Sequence, residues 1–190
     1  LDGLYDHLEA LIPRLARLGH DDIVLNTCIT RRNVDQVNRI ANKAREWGVN
    51  ISFSAYSPRR IGDRRYFLNT PEQLDTLRRE LEGLKRRMDG TRWIVNSRTT
   101  LDATRQYFEN GGMAHCKAGL RFLVVTSDGA LQPCSMKFDR YALEDRARMA
   151  REFTPANTCD ECYVSIRSYL DKPFLQLLRE NVGAFLGLRS

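Results

Sequence analysis

Apolar residues recur every three or four positions in the first half of the chain, which is the spacing of amphipathic helices. Two short runs rich in β-branched and apolar residues lie between these stretches and predict strands. The predicted helices cover residues 4–18, 34–47 and 71–88, and the predicted strands cover residues 23–29 and 49–56. The pattern therefore predicts the order helix, strand, helix, strand, helix.

This alternation, with short connections, is typical of a parallel sheet covered by helices. The run 23–29 contains almost only apolar and β-branched residues, so we expect this strand to be buried on both faces. Roughly 90 residues supply only two or three strands, whereas a closed eight-stranded barrel needs about 250 residues. We therefore expect an α/β fold with an incomplete, open parallel part.

The pattern changes after Gly90. A short strand is expected at residues 93–95 and a helix at 99–109. Two strand-like runs, 120–126 and 130–133, flank an Asp-Gly turn, and this arrangement predicts a β-hairpin. Helices are expected over about 141–151 and over a last stretch that contains residues 166–178. The second half is thus predicted to be a small β-hairpin plus helices.

Composition and charge exclude some classes of protein. Apolar residues make up 42% and charged residues 28% of the chain, as in globular proteins. No apolar run reaches the roughly 18 to 20 residues that a membrane-spanning helix needs, so we expect no membrane partner. The net charge is +6, but acidic residues are interleaved among the basic ones, which favours a solvated surface over a nucleic-acid interface.

The chain has five cysteines, and four of them fall in the last 75 positions. An odd number of cysteines without a secretory signal sequence favours a reducing, cytoplasmic location, where clustered thiols more often bind metal than form disulfides. Cys116 precedes the predicted hairpin, Cys134 follows it, and Cys159 and Cys162 form a CxxC pair. Cys28 lies within the first strand and is expected to be a core thiol.

Four thiolates form a complete tetrahedral ligand set. They suit Zn²⁺, with Zn–S bonds of about 2.3 Å, and they equally suit a [4Fe–4S] cluster with one cysteine on each iron. Buried structural thiols are a further alternative, because free cysteine is often a small core residue. The spacing alone does not choose between these three possibilities.

The spacing C-x12-G-x4-C from Cys116 through Gly129 to Cys134, with Cys159-x-x-Cys162 further on, resembles the auxiliary-cluster pattern of radical SAM enzymes that carry a twitch or SPASM domain. Residues 1–3 (LDG) resemble the segment after the fourth barrel strand of that superfamily. Residues 26–53 resemble its fifth strand, fifth helix and sixth strand. The resemblance implies the C-terminal part of a partial (β/α)6 barrel over 1–110 and a twitch-like domain with one auxiliary [4Fe–4S] cluster over 111–190.

The resemblance also implies an activity. Such enzymes cleave S-adenosylmethionine to a 5′-deoxyadenosyl radical, take electrons from a reductant protein such as a flavodoxin or ferredoxin, and act on a small-molecule or peptide substrate. The CxxxCxxC motif that binds the SAM-cleaving cluster is missing from these 190 residues. We therefore expect this chain to be the C-terminal half of an oxidoreductase, inactive alone. No cysteine follows Cys162, so the sequence holds one auxiliary cluster.

Candidate contacts to S-adenosylmethionine follow from the expected strand ends. Ligands in parallel α/β folds bind beyond the carboxyl ends of the strands. Arg31 after the first strand, with Arg32, and the later Arg59, Arg60, Arg64 and Arg65 are candidates to bind a carboxylate. Asn26 and Tyr56 are candidates to bind ribose or adenine, and the resemblance places Asp2 near the same ligand. Ordinary exposed arginines and strand packing are the alternatives.

Two other functions stay open at this stage. The four cysteines also suit a four-cysteine zinc module that contacts a nucleic acid or a protein. A scaffold without chemistry of its own is the third possibility. His115, next to Cys116, is expected to be a loop residue, because four thiolates already complete the ligand set.

Overall fold

The computed structural model describes residues 3–20, 22–88 and 91–186. Seven α-helices and four strands are present in these residues. They are α1 (Leu4–Arg17), β1 (Val24–Ile29), α2 (Val37–Glu46), β2 (Asn50–Ala55), α3 (Pro71–Arg87), α4 (Arg98–Asn110), β3 (Val124–Val125), β4 (Leu131–Gln132), α5 (Arg146–Ala156), α6 (Ser165–Leu170) and α7 (Phe174–Leu186). The helix–strand order of the first half and the helix expected at 99–109 are therefore confirmed.

The first half is built on the parallel pair β1 and β2, in which Val24 is opposite Asn50 and Ile29 is opposite Ala55. Helices α2, α3 and α4 bury their apolar residues in the same core as the sheet. The fully buried members of this core include Ile29, Ile51, Val37, Ala41, Leu68, Leu77, Leu84 and Leu101. One core therefore extends from the sheet to α4.

The two strands differ in burial. All residues of β2 after Asn50 are buried, whereas along β1 exposed and half-buried residues alternate up to the buried Ile29. The prediction that β1 is buried on both faces is therefore wrong. Its alternate residues, including Asn26 and Cys28, are exposed, and Cys28 is not a core thiol.

A third strand beside β2 begins but does not continue. Ile94 forms a single parallel bridge with Ile51, through one hydrogen bond from the Ile51 N–H and one from the Val95 N–H. At the next position the side chain of Asn96 replaces the backbone: its Oδ1 accepts from Phe53 N–H at 2.7 Å and its Nδ2 donates to Phe53 C=O at 2.9 Å. An amide side chain that pairs with a neighbouring backbone competes with a strand ladder in this way.

The expected incomplete (β/α) barrel segment is therefore wrong. The described residues contain two sheets of two strands each, one parallel and one antiparallel, and no barrel segment. The physical reason lies at Asn96, where side-chain hydrogen bonds end the third strand and α4 starts two residues later. The strand expected at 93–95 is reduced to one bridging residue.

The expected hairpin is present in the second half. β3 and β4 pair antiparallel, with Val124 opposite Gln132, and Gly129 adopts the left-handed conformation (φ 82°) that the turn requires. A small separate core forms next to it from Cys116, Ala118 and Phe122, with Cys134 and Phe153 packed against it. The helix expected near 141–151 lies further along, at 146–156, after a 3₁₀ turn.

Among the described residues, none of the helices has the length and apolar character that crossing a membrane requires.

The role of Asn96 gives a first prediction. Asn96→Ala leaves the buried N–H and C=O of Phe53 without partners, and each unpaired buried group costs about 1 to 3 kcal/mol. We expect the free energy of unfolding, measured by urea denaturation, to fall by about 2 to 4 kcal/mol.

Asn110→Ala is the matched control, because Asn110 is the exposed last residue of α4. We expect this change to stay within about 0.5 kcal/mol of the original chain. Equal effects of the two substitutions would show that the Asn96 amide does not close the sheet.

Candidate functional site

The four clustered cysteines come together around one cavity. Cys116 lies before the hairpin, Cys134 follows β4, and Cys159 and Cys162 lie in the loop between α5 and α6. All four line this cavity, together with the apolar Ala118, Phe122, Val164 and Ile166. The fold thus places thiols from three chain segments around the same space, as their spacing predicts.

Backbone N–H groups act on three of these thiols. The N–H of Met136 donates to Cys134 Sγ at 3.4 Å. Against the larger effect of burial, the N–H groups of Ala118 and Val164 lower the pKa of the thiols of Cys116 and Cys162. In each case the N–H belongs to the residue two positions after the cysteine. Backbone N–H groups that point at sulfur stabilise thiolates, and such hydrogen bonds tune metal–sulfur centres.

Asn157 connects two of the cysteine-bearing segments. Its Nδ2 donates to the Cys116 C=O at 3.1 Å, and its Oδ1 accepts from the Cys159 N–H at 3.2 Å. Asn157 also lines the cavity. Because both ends of one amide are used, the position of the CxxC loop is fixed relative to the segment that precedes the hairpin.

Arg167 of α6 makes a second connection between the same two segments. It donates from Nη1 to the Cys162 C=O and from Nη2 to the Ala114 C=O, both at 2.6 Å, and its Nε bonds Asp171 at 3.0 Å. Asp171 also accepts from the Lys117 N–H at 3.1 Å. Both sides of Cys116 are therefore held to the helix that follows the CxxC pair.

Burial and charge act in opposite directions on the two most buried thiols. Burial raises the pKa of Cys116, while the Ala118 N–H and Arg167 lower it. Burial also raises the pKa of Cys162, to about 11, against the effect of Arg167. A metal ligand must be the thiolate, so the cation and the N–H donors favour the state that binds metal.

The four thiols surround the cavity without meeting at one point. Within the described residues, no three His, Cys, Asp or Glu side chains lie close enough together to hold a single metal ion. His115 is exposed, has a positive φ of 61° and does not line the cavity. The donor set at the cavity is therefore four thiols, with no imidazole or carboxylate among the lining residues.

An open cleft of about 440 Å³ lies next to the cysteine cavity. Its lining includes Asn26, Cys28 and Ser54 from the sheet, Tyr56 and Ser57 after β2, and Ser165 of α6. Met136, Val164 and Ile166 line both spaces. The cleft has the volume of a small-molecule site, and its polar groups are hydroxyls, an amide and a thiol.

Only some of the residues predicted to bind S-adenosylmethionine line the cleft. Asn26 and Tyr56 both line the cleft, where Asn26 Oδ1 accepts from Ser52 and the Tyr56 hydroxyl donates to the Asp63 C=O at 2.7 Å. Arg31 is exposed and does not line it. Asp2 lies outside the described residues.

The other candidate arginines are mostly engaged elsewhere. Arg65 pairs with Asp63, and the guanidinium of Arg32 lies over the Tyr66 ring. Arg59 pairs with Glu161. Neither Arg59, Arg64 nor Arg65 lines the cleft, and the side chain of Arg60 lies outside the described part of the structure. A carboxylate site built from these arginines is therefore not assembled by the described residues.

The loop after β2 and the CxxC turn are tied together at Glu161. Its C=O accepts from Ser57 Oγ at 3.0 Å and from the Tyr107 hydroxyl at 3.1 Å, and its carboxylate pairs with Arg59. The Tyr107 hydroxyl is also 3.2 Å from the Tyr56 C=O. The loop that follows β2 and lines the cleft is thus held to the turn that carries Cys159 and Cys162.

Sequence reasoning missed the residues that organise the cavity. Asn157 and Arg167 belong to no metal-ligand motif, and Tyr107 has the pattern of an ordinary core aromatic on an amphipathic helix. Asn157 lies two residues before the CxxC pair, a position typical of a turn-forming amide, and this was the one available signal.

The Tyr107 hydroxyl gives a second prediction. Tyr107→Phe keeps the buried ring but removes the donor shared by the carbonyls of Tyr56 and Glu161. We expect the free energy of unfolding to fall by about 1 to 2 kcal/mol in denaturant titrations at neutral pH. Tyr5→Phe, at an exposed tyrosine of α1, is the control and should change little.

Alkaline pH adds a test with a definite sign. Burial raises the pKa of Tyr107 in the folded chain, whereas the pKa of tyrosine in the unfolded chain is about 10. The protonated hydroxyl therefore stabilises the fold below about pH 10, and this stabilisation is lost as the pH rises further. Tyr107→Phe should therefore lose less stability between about pH 10 and 11 than the original chain. An unchanged pH dependence would contradict the burial of this hydroxyl.

Comparison of the chain with protein-family models, with curated proteins and with solved structures gave no match. The resemblance of the cysteine spacing to radical SAM auxiliary-cluster domains therefore stays a prediction from the sequence. The geometry of the cysteine cavity carries the functional argument.

Proposed function

We propose that this chain binds one [4Fe–4S] cluster through Cys116, Cys134, Cys159 and Cys162. The observation that carries the proposal is the convergence of these four thiols, from three separate segments, on one cavity. The hydrogen bond from the Met136 N–H to Cys134 and the Arg167 cation beside Cys116 and Cys162 support it, because both favour the thiolate that binds metal.

The choice of a cluster over zinc rests on the resemblance of the cysteine spacing to auxiliary-cluster domains. Tetrahedral zinc takes four sulfurs at about 2.3 Å from one point. A cubane cluster takes one cysteine per iron at separate corners. The cavity has a volume of about 20 Å³, which is room for about one water molecule, so the cysteine side chains must turn outward to admit a cluster.

The cluster supplies one-electron redox chemistry when bound. This chain's part is to hold the four ligands, to exclude water from them with Ala118 and Phe122, and to present the neighbouring cleft. We propose that the cleft takes the small-molecule or peptide substrate of a radical SAM enzyme, with Asn26 and Tyr56 as contacts, and that a flavodoxin or ferredoxin supplies electrons. A reducing, cytoplasmic location fits such a centre.

The test is anaerobic reconstitution of the whole chain with iron and sulfide. We expect about four iron atoms per chain, a brown colour and a broad visible absorption. Replacing any one of the four cysteines by Ala should remove most of the iron, because each corner of the cluster needs its own thiolate.

Cys28→Ala is the matched control, because Cys28 lies in the neighbouring cleft rather than in the cysteine cavity. It should retain the full iron content. A colourless chain with one zinc per molecule would establish the four-cysteine zinc module instead. Equal loss of iron in the Cys28 variant would also overturn the proposal.

A further inference from the structure

Arg167 is the most deeply buried charged residue beside the cysteine cavity. The residue is 1% exposed, and it lines the cavity together with the four cysteines. Guanidinium stays protonated at all ordinary pH values. A permanent positive charge is therefore fixed inside the protein, next to the thiols.

A buried charge is costly unless it is paired and hydrogen-bonded. Asp171 supplies the pair through the Arg167 Nε, and its side chain is 11% exposed. The other two nitrogens bond the C=O groups of Cys162 and Ala114. All three guanidinium nitrogens are thus engaged, and the direction in which the guanidinium points is fixed.

The Arg167–Asp171 pair is oriented relative to the cavity. Arg167 lines the cavity, whereas Asp171 does not and bonds the Lys117 N–H instead. The Arg167 cation is near enough to the thiols of Cys116 and Cys162 to lower the pKa of both, and the Asp171 carboxylate opposes it at Cys116. Ala118, Phe122, Val164 and Ile166 complete the lining, and a charge in such apolar surroundings acts more strongly than one in water.

Other cations near the cysteines are more exposed than Arg167. The Arg59 side chain is 30% exposed and is paired with Glu161, which itself lies between the two cysteines of the CxxC pair. Lys137 lines the cavity but is partly exposed. Solvent and salt screen such charges far more than they screen Arg167.

We propose that Arg167 is the buried counter-cation of the four-thiolate centre and raises the reduction potential of the cluster. This inference rests on the proposed function. A [4Fe–4S] cluster with four thiolates is negatively charged, and it becomes more negative when it accepts one electron from a reductant. A fixed positive charge stabilises the reduced form more than the oxidised form, which makes the cluster easier to reduce. Asp171 offsets part of this effect.

The test is the midpoint potential of the reconstituted chain, measured by dithionite titration with electron paramagnetic resonance detection of the reduced cluster. Arg167→Gln removes the positive charge and keeps a side chain that donates to one of the two carbonyls. We expect its potential to become more negative. Asp171→Asn removes the negative charge of the pair, and we expect a shift in the opposite direction.

Two further variants separate charge from structure. Arg167→Lys keeps the charge and loses the forked hydrogen bonds, so its potential should stay closer to that of the original chain than does the potential of Arg167→Gln. Arg86→Gln makes the same change of charge at an exposed position of α3, in the other half of the chain. It should leave the potential unchanged.

Opposite shifts for Arg167→Gln and Asp171→Asn support the inference, and a purely structural role does not produce them. Shifts of the same sign, or an Arg167→Gln shift no larger than that of Arg86→Gln, overturn it while leaving the proposed function intact. If Arg167→Gln fails to hold a cluster, the Asp171→Asn variant tests the inference alone. A less negative potential supports the inference, and an unchanged or more negative potential overturns it. An original chain that takes up no cluster overturns both proposals.

Discussion

The hydroxyl of Tyr107 is the contact on which the geometry of the candidate site depends. It lies between the C=O of Tyr56, at the end of the parallel sheet, and the C=O of Glu161, inside the CxxC turn. Its ring is buried in the main core with Phe67 and Phe108. Because one buried side chain belongs to the core and also holds the cysteine loop, the main core and the cysteine cavity are fixed relative to each other.

The sequence predicts those parts of the fold that follow from local patterns. Apolar periodicity locates the first helices and the two parallel strands, and the Asp-Gly turn locates the hairpin. It does not predict the end of the sheet, because Asn96 acts through a side-chain bond to Phe53, 43 residues away. The prediction that Cys28 is a core thiol was wrong for a related reason. Strand β1 lies at the edge of a two-stranded sheet, and the extent of a sheet determines how far its faces are covered.

The cysteines themselves were predictable, since their spacing relative to the hairpin and the CxxC pair brings them together. Their surroundings were not. Arg167 becomes important only because α6 turns it back toward the carbonyls of Cys162 and Ala114, 5 and 53 residues away in sequence. The tertiary fold determines which charged residues lie beside a buried site, and a local sequence pattern does not identify them. The cleft beside the cavity depends on the same packing, because it combines residues from the sheet with residues of α6.

X-ray absorption spectroscopy of the anaerobically purified chain tests the central claim most directly, because it identifies the metal and its neighbours together. The account predicts an iron absorption edge, sulfur neighbours and strong scattering from other iron atoms a short distance away, as in a cubane with one cysteine thiolate on each iron. A zinc edge with only sulfur neighbours at about 2.3 Å and no metal–metal scattering would contradict it.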